Sequence, residues 1–297
     1  MPNDPSTTET LRVMTWNLWG RFQNWRERQP GIATVLREQN PDVVFLQESW
    51  ADRGGVAQPE ELADALGGFH AAWPQDDWRI HPRNGGASWF GNAVLSRWPV
   101  LSVERHWLHR LDAGVPHRHV TFAVLDSPWG PWPVASTHFE YPFDASEQRL
   151  LNAEELMHLV ARYQGERRDA ERRLPVIVGG DLNAVPDSDE MGLLTGRRPG
   201  VRGVVFSDVW EIVGDGGRLG AQGVTWDPRN PYLSDTAWPN RRLDYLLVSW
   251  PRPKPIGNPV RVWVAGDQPV DGIHPSDHFA VVADIRVGTP AVRSATE

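Results

Sequence analysis

Short apolar runs alternate with polar segments along most of the 297-residue chain. After the first apolar run, Leu11–Trp16, the residues Ile32, Val35 and Leu36 recur at the spacing of one helix face. This pattern predicts a helix from near Trp25 to Gln39, which Pro41 brings to an end.

Nine runs, including this first one, are rich in apolar and β-branched residues and are typical of strands. They are Leu11–Trp16, Asp42–Gln47, Ala93–Ser96, Val120–Leu125, Val134–Thr137, Pro175–Gly179, Leu243–Ser249, Val260–Ala265 and Phe279–Arg286. Asp144 and Glu147 resemble a capping box and predict a second helix that runs to about Tyr163. Because strands often follow one another without a helix, the order favours α+β layers over a purely parallel sheet.

Nothing in the sequence divides the chain, which has no internal repeat, low-complexity tract or linker. We therefore predict one domain over residues 11–287, with flexible tails at 1–10 and 288–297. No run approaches the roughly 18 apolar residues of a membrane-spanning helix, and the first residues lack the pattern of a secretory signal. We expect a monomeric cytoplasmic protein without a transmembrane segment.

Composition narrows the chemistry. The chain has no cysteine, which excludes disulfides, thiolate metal sites and cysteine nucleophiles. Any metal must use oxygen or imidazole ligands, which favours Mg²⁺ or Mn²⁺. The formal charge of −8 counts against tight non-specific binding of nucleic acid, although a local basic cleft stays open. Of the 16 tryptophans, we expect most in the core and a minority along a substrate groove.

Polar residues with catalytic potential collect at the ends of the predicted strands. Strand ends suit such residues because the strand fixes their position while the side chain still reaches a ligand. Six segments carry them: Thr15–Gly20, Leu46–Ser49, Ser136–Glu140, Gly179–Ser188, Arg242–Ser249 and His274–Ile285.

Asp181 and Asn183 are two residues apart, so in an extended chain both would face one cavity. A carboxylate can hold a cation or take a proton from water, and an amide can donate to a phosphoryl oxygen. A plain turn after a strand is the alternative. Glu48 follows a buried run and needs a partner there, either a cation or, alternatively, an arginine or solvent.

The histidines offer a second set of groups. A carboxylate such as Asp244 or Asp277 could fix the tautomer of His278, and the resulting cation could bind phosphate. The sequence does not show which aspartate contacts His278. His138 could donate to phosphate or protonate a leaving group. A surface or core-edge histidine is the alternative for both.

Taken together and in this order, the six segments resemble the endonuclease/exonuclease/phosphatase (DNase I-like) superfamily. The resemblance extends over Leu11–Arg286. It implies a four-layer α/β-sandwich, in which two mixed β-sheets pack face to face with flanking helices, and an active site at one edge.

The resemblance also implies roles for individual residues. Glu48 and Asn17 would hold a catalytic Mg²⁺, with Glu48 as the principal ligand and Asp277 as an acidic residue at the metal. Asp181 would orient or deprotonate the attacking water, and Asn183 would bind the phosphate. His138 would contact phosphate or act as an acid. Asp244 would buttress His278. Direct attack of water on phosphorus needs mainly positioning and charge neutralisation, which these groups can supply.

The substrate is open at this point. The first hypothesis is a Mg²⁺-dependent hydrolase, with Mn²⁺ as an alternative cation, acting on a small or lipid-derived phosphate ester. The second is a nuclease acting on DNA or RNA, since Arg79–Phe90 and Ser234–Arg242 interleave tryptophan with basic residues. A non-catalytic binding module is the third.

Trp19 and His138 depart from the pattern of abasic-site endonucleases, which have an acidic residue and a tyrosine at these places. Both differences weaken a DNA-repair interpretation. Arg118 and Arg149 are either phosphate contacts or surface residues. Asn92 either reaches the edge of the site or is structural, and the structural role is favoured.

Overall fold

The computed structural model describes residues 9–75, 88–166, 174–214 and 222–288. Within these ranges the chain forms two six-stranded sheets and flanking helices. The strands are β1 (Thr10–Asn17), β2 (Val43–Asp52), β3 (His70–Ala72), β4 (Ser88–Ser96), β5 (Val100–Leu108), β6 (Arg118–Ser127), β7 (Gly130–His138), β8 (Ile177–Asp181), β9 (Val205–Asp208), β10 (Asp244–Trp250), β11 (Pro259–Ala265) and β12 (Ala280–Arg286). The helices are α1 (Trp25–Gln39), α2 (Gln58–Ala65), α3 (Ser146–Glu166), α4 (Asp189–Leu194) and α5 (Val209–Val213).

Both sheets are mixed. The first has the strand order β11-β12-β1-β2-β4-β3 and the second has β5-β6-β7-β8-β10-β9. The β1–β2 and β7–β8 pairs are parallel and are connected through α1 and α3, whereas the remaining pairs are antiparallel. The predicted α+β order is therefore confirmed.

Alternating side chains of each strand serve two different cores, because successive residues point to opposite faces of a sheet. Phe45 and Ile177 belong to the core between the sheets. Their neighbours Val44 and Val178 instead pack in the outer cores, with residues of α1 and α2 and with residues of α3 and α4, respectively. This gives helices, sheet, sheet and helices in succession, which confirms the four-layer sandwich.

The two sheets approach each other closely near β8. A Cβ atom added to Gly179 would lie 2.3 Å from Cδ2 of Phe45 in the other sheet, so only glycine fits there. Gln47 and Ser136 also join the sheets, through a 3.0 Å bond from Nε2 to Oγ. These contacts fix the separation of the strand ends that carry the candidate residues.

Helix α1 has the bounds that the sequence predicted. It ends at Asn40, which adopts the left-handed conformation and donates its N–H to the carbonyl of Leu36. Helix α3 begins at Ser146 rather than at Asp144, so the proposed capping box is out of register with the observed start.

The predicted end of the second strand is wrong. Strand β2 continues beyond Gln47 to Asp52 through an irregularity in its pairing between Leu46 and Ser49. Glu48 lies within this bulge at φ +54°. A bulge inserts an extra residue and re-aims its side chain, so Glu48 is directed by a local distortion and not by the strand's end.

The prediction also missed α2, α4, α5, β3, β5 and β9. Of the predicted tails, 1–8 and 289–297 lie outside the described residues, as do residues 79–87 of the proposed nucleic-acid loop. Thr10 pairs with Arg286, so β1 begins inside the predicted N-terminal tail. Among the described helices, none has the length and apolar character required to cross a bilayer.

Candidate active site

Three neighbouring strands of the second sheet bring His138, Asp181 and Asp244 side by side. Parallel pairing of β7 and β8 sets His138 opposite Asp181, and antiparallel pairing of β8 and β10 sets Asp244 opposite Asp181. From the first sheet, Asn17 ends β1 and His278 lies two residues before β12. The candidate residues thus meet at one edge of the sandwich.

Asp181 lies at the centre of the cluster and is almost fully buried. Its Oδ2 accepts a 3.0 Å hydrogen bond from Asn17 Nδ2 and lies 3.3 Å from His138 Nε2 and 3.7 Å from His278 Nε2. Its Oδ1 accepts from the backbone N–H of Asn183 at 3.0 Å. The carboxylate is therefore held by contacts from both sheets.

His278 is fixed by Asp244, as the resemblance implied, through a 2.8 Å contact between Nδ1 and Oδ2. Its backbone carbonyl accepts from the indole N–H of Trp16 at 2.9 Å. Burial alone would lower the pKa of His278, but the charges of Asp244, Asp181 and Asp277 outweigh it and raise that pKa well above the ordinary value. Nε2 faces the cluster as a cationic donor.

Glu48 reaches the cluster from the bulge of β2. Its Oε1 lies 3.3 Å from Asn17 Nδ2 and 4.0 Å from His138 Nδ1, whereas its Oε2 is buried without a hydrogen-bond partner. Burial, aided by the nearby charge of Asp277, raises the pKa of Glu48 to about 7. A buried carboxylate oxygen without a partner is costly, and a bound cation is a natural solution.

Asp277 is also buried, and burial raises its pKa. Asp277 and Glu48 both line the cleft, and the charge of Asp277 helps to raise the pKa of Glu48. Together the two carboxylates, one of which has an oxygen without a hydrogen-bond partner, form a set of oxygen ligands that suits a hard divalent ion.

Asn17 is oriented differently from a simple metal ligand. Its Oδ1 accepts from the backbone N–H of Trp19 at 2.9 Å, and its Nδ2 faces Glu48 and Asp181. These contacts position both carboxylates. The role of Asn17 as a direct ligand stays a prediction.

A second group of potential metal ligands consists of Asp181, Asp244 and His278, whose ligand atoms lie within 4.8 Å of one another. In this group Nδ1 of His278 already contacts Asp244, and the surrounding carboxylates raise the pKa of His278 well above its ordinary value, which favours the protonated ring. A protonated imidazole cannot coordinate a metal and repels a cation. We therefore favour the Glu48 side of the cluster as the cation site.

Asn183 reaches the cluster by a turn rather than by strand alternation. Strand β8 ends at Asp181, and Asn183 adopts φ +49°. Its Nδ2 lies 3.0 Å from His138 Nε2 and 3.3 Å from the carbonyl of Phe139. The predicted proximity of Asp181 and Asn183 is correct, but the geometric reason given for it is wrong.

His138 is flanked by Arg118, whose Nη1 lies 2.9 Å from His138 Nδ1. Burial and the charge of Arg118 lower the pKa of His138 well below the ordinary value, so the ring is neutral. Arg118 also faces Glu140 at 3.8 Å and lines the cleft. Of the two arginines considered from the sequence, Arg118 is therefore at the site.

Arg149 and Asn92 are structural. Arg149 is buried in an ion pair with Glu190 at 2.9 Å. The side chain of Asn92 donates to the carbonyl of His119 at 2.6 Å, and its backbone N–H donates to the ring of the same residue. Neither residue belongs to the lining of the cleft.

A cleft of about 980 Å³ opens from the cluster. Aromatic side chains of Trp19, Phe22 and Phe90 line one part of it, and basic side chains line another. The basic residues are Arg105, Arg110, His117 and Arg118. Most of these basic residues could not be singled out from the sequence, because only their position beside the cluster in the folded chain indicates a functional role.

Arg28 is a further residue that the sequence did not reveal. Its guanidinium is fully buried and donates to the carbonyls of Leu18, Gly20 and Pro275 at 2.8–2.9 Å. It thus ties the loop after Asn17 to the segment before Asp277. An arginine on a helix gives no sequence signal of such a contact.

Comparisons with known proteins support the same conclusion as the geometry. The family model described as "Endonuclease/Exonuclease/phosphatase family" matches residues 14–278. A 5′-tyrosyl-DNA phosphodiesterase of Caenorhabditis elegans is 26% identical over 281 residues, covering 92% of this chain and 66% of that protein. The chain thus spans slightly less than two thirds of that relative.

Solved structures share the fold. An endonuclease/exonuclease/phosphatase from Beutenbergia cavernae matches with a TM-score of 0.67 and 25% identity, over 95% of this chain and 73% of that one. TDP2 of D. rerio, complexed with a single-strand DNA product, matches with a TM-score of 0.67 and 20% identity, over 94% of this chain and 100% of that one. With the family model covering most of its length, the chain belongs to the endonuclease/exonuclease/phosphatase family of phosphoester hydrolases.

Proposed function

We propose that this chain is a divalent-cation-dependent phosphodiesterase that hydrolyses the bond between phosphorus and an aromatic ester group at the end of a nucleic-acid strand. The observation that carries the proposal is the convergence of His138, Asp181 and His278 on one cleft beside Glu48. The 26% identity to a 5′-tyrosyl-DNA phosphodiesterase supports this class of substrate.

The cation would be held by Glu48 and Asp277, with Asn17 orienting Glu48. The partnerless Oε2 of Glu48 fits this role, and an all-oxygen donor set favours Mg²⁺, with Mn²⁺ as an alternative. When bound, the cation neutralises charge on the phosphoryl oxygens and orients the phosphate.

Asp181 would orient the attacking water and accept its proton. Its two oxygens are fixed by donors from Asn17 and from the backbone of Asn183, so the carboxylate cannot rotate away. Water held in this way attacks phosphorus without a covalent intermediate.

The phosphate would be bound by His138 and Asn183, which line the cleft beside Asp181. Arg118 donates to Nδ1 of His138, so the single ring proton of the neutral imidazole lies on Nε2. Nε2 then faces Oδ2 of Asp181 at 3.3 Å, and Nδ2 of Asn183, which donates to the carbonyl of Phe139, lies beside it. A phosphoryl oxygen that enters the cleft beside these two groups would accept from them, while cationic His278 would stabilise the charge that develops.

A small or lipid-derived phosphate ester is the second candidate substrate. The formal charge of −8 favours it, because a long nucleic acid is repelled by an acidic surface. The basic residues that line the cleft can pair with the phosphates of a short strand end, which favours the first substrate class.

A substrate panel tests the proposal. The panel contains a single-stranded oligonucleotide with a 5′-phosphotyrosyl group, the same strand with a free 5′-hydroxyl, a glycerophosphodiester and bis(p-nitrophenyl) phosphate. We expect release of tyrosine from the first strand and turnover of the chromogenic ester, both with Mg²⁺ and neither with EDTA. Internal cleavage of the second strand would favour a nuclease, and preference for the glycerophosphodiester would favour the lipid-derived class.

Two aspartate variants test whether the activity on this panel depends on Asp181. Asp181→Asn should lose activity by at least 100-fold, because the neutral amide cannot accept the proton of water. Asp189→Asn changes an exposed aspartate of α4, paired with Arg198, and should leave activity unchanged. Equal activity of both variants would refute the assignment of Asp181.

Reaction in ¹⁸O-labelled water tests the direct attack. A single turnover should carry the label into the 5′-phosphate and leave tyrosine unlabelled, since water attacks phosphorus and the phosphorus–oxygen bond breaks. Label in the tyrosine hydroxyl would exclude this course.

A further inference from the structure

The cleft has an aromatic wall, formed by Trp19, Phe22 and Phe90, directly beside the catalytic cluster. Trp19 and Phe22 follow Asn17 in the loop between β1 and α1, and Phe90 lies in β4. The ring centroids of Trp19 and Phe22 are 6.1 Å apart, and those of Phe22 and Phe90 are 6.4 Å apart. All three side chains are partly exposed and line the cleft.

The wall stands next to the candidate cation site. A Cβ atom added to Gly20, which has φ +41°, would lie 2.6 Å from the ring of Phe90 and 3.4 Å from the carbonyl of Glu48. The backbone N–H of Trp19 is bonded to the side chain of Asn17. A group attached to a phosphate at the cluster is therefore within reach of the wall.

The Trp19 part of the wall is held by neighbouring side chains. The buried guanidinium of Arg28 lies 4.9 Å from the ring centroid of Trp19 and donates to the carbonyls of Trp19 and Gly20. Tyr232 lies 4.7 Å from the same ring, tilted by 40°. Rings that are fixed before binding lose little conformational entropy when a ligand contacts them.

We propose that Trp19, Phe22 and Phe90 form a subsite for a planar ring that the substrate carries on its phosphate. This inference rests on the proposed function and specifies what the phosphate must bear. A planar ring on an aromatic surface gains contact area and stacking, which a methyl or glycerol group cannot match. The ring can come from an aryl ester or from a nucleobase. Binding of phenyl phosphate and of thymidine 5′-monophosphate distinguishes these two sources.

Equilibrium binding of three monoesters tests the subsite without turnover. Calorimetry in the presence of Mg²⁺ would compare methyl phosphate, phenyl phosphate and thymidine 5′-monophosphate on the wild type, Phe22→Ala and Trp19→Ala. We expect each variant to bind at least one of the two ring-bearing ligands about tenfold more weakly, within the range of stacking contributions. Methyl phosphate should change by less than twofold, because it does not reach the wall.

Phe69→Ala is the matched control. Phe69 is a half-buried phenylalanine that packs on Arg97, beyond the end of β4 that is opposite to Phe90. All three ligands should bind this variant as they bind the wild type. Thermal unfolding of each variant shows whether it is folded, and Phe22→Leu serves as a milder change if Phe22→Ala is not.

The outcomes distinguish an aryl group from a nucleobase as the bound ring, and they distinguish failure of the subsite from failure of the proposed function. Loss confined to phenyl phosphate assigns the subsite to an aryl group, and loss confined to thymidine 5′-monophosphate assigns it to a nucleobase. Equal weakening of all three ligands, or of none, refutes the subsite. If instead the wild type binds the ring-bearing ligands selectively but hydrolyses no phosphodiester, the proposed function fails and the subsite stands.

Discussion

At the scale of single residues, Glu48 carries the clearest signs of a functional role. It combines a backbone at φ +54° with a buried carboxylate oxygen that has no partner. Each feature opposes folding, and a backbone in this region costs on the order of 1–3 kcal/mol. Such features persist where the surrounding structure enforces them, which is common at active sites.

Glu48→Gln should therefore stabilise the protein when no divalent cation is present. The variant removes a largely buried charge whose pKa is raised from 4.5 to about 7, which corresponds to a gain of at most about 3 kcal/mol at pH 8. Thermal unfolding in EDTA should show a higher Tm for the variant. Added Mg²⁺ should raise the Tm of the wild type and not of Glu48→Gln; a lower Tm in EDTA, or equal responses to Mg²⁺, would contradict the assignment.

Cation binding should depend on pH through Glu48. Because the pKa of this carboxyl is raised to about 7, it is protonated below that pH and ionised above it. Protons then compete with the cation, so affinity rises with pH and levels off above about pH 8. Calorimetry should give about tenfold weaker Mg²⁺ binding at pH 6 than at pH 8, and an affinity independent of pH over this range would exclude Glu48 as the main ligand.

Asp244→Asn should change the pH profile as well as the rate. Asp244 helps to raise the pKa of His278, so its loss lowers that pKa and the cationic form disappears at lower pH. We expect kcat/KM to fall about 10- to 100-fold and its alkaline limit to move to lower pH. Asp284→Asn, a buried aspartate farther along β12 that pairs with Arg12, should affect stability without moving the profile.

The sequence could predict that these residues share one site, but it could not predict the geometry that brings them together. Glu48 was expected at the end of a strand, yet the bulge of β2 directs it. Asn183 was expected to share a strand face with Asp181, yet a turn at φ +49° brings it there. Bulges and left-handed residues depend on tertiary packing, which leaves no regular pattern in the sequence.

At the scale of elements, the site depends on how closely β2 and β8 approach. Phe45 and Gly179 interlock at this point, two residues before Asp181 and three before Glu48. A shift of one strand against the other would move the two carboxylates apart. Small displacements of this kind reduce catalysis strongly.

Gly179→Ala tests the importance of this contact. The added methyl group would lie 2.3 Å from the ring of Phe45, so the sheets must separate locally. We expect a loss of about 1–3 kcal/mol in the free energy of unfolding, measured by urea denaturation, together with reduced kcat. Gly165→Ala in the exposed end of α3 meets no atom within 4 Å and should stabilise slightly; equal effects of the two substitutions would refute the role of the contact.

Elements were predictable where their signals are local. Helix α1 ends as predicted because Asn40 and Pro41 terminate it through their own backbone preferences. Strand β5 was missed because it lies at a sheet edge with Leu101 and Val103 exposed, so it lacks a regular alternation of buried positions. Strands β3 and β9, of three and four residues, are too short to show a period.

At the scale of the whole molecule, the candidate site belongs to neither sheet alone. Glu48 comes from the first sheet, while His138, Asp181 and Asp244 come from the second. The order of the motifs along the sequence indicates the family, because that order is a property of the chain. The residues that line the cleft come from separate segments of the sequence and lie together only once the chain is folded.

A double-mutant cycle across the two sheets tests most directly whether Glu48 and Asp181 belong to one cation-dependent centre. Initial rates of Mg²⁺-dependent hydrolysis of p-nitrophenyl thymidine 5′-phosphate would be compared for the wild type, Glu48→Gln, Asp181→Asn and the double variant. If the residues act as one centre, each single substitution costs at least about 100-fold and the double variant is scarcely worse than either. Full activity of the wild type in EDTA, or losses that simply multiply in the double variant, would contradict a single cation-dependent centre shared by both sheets.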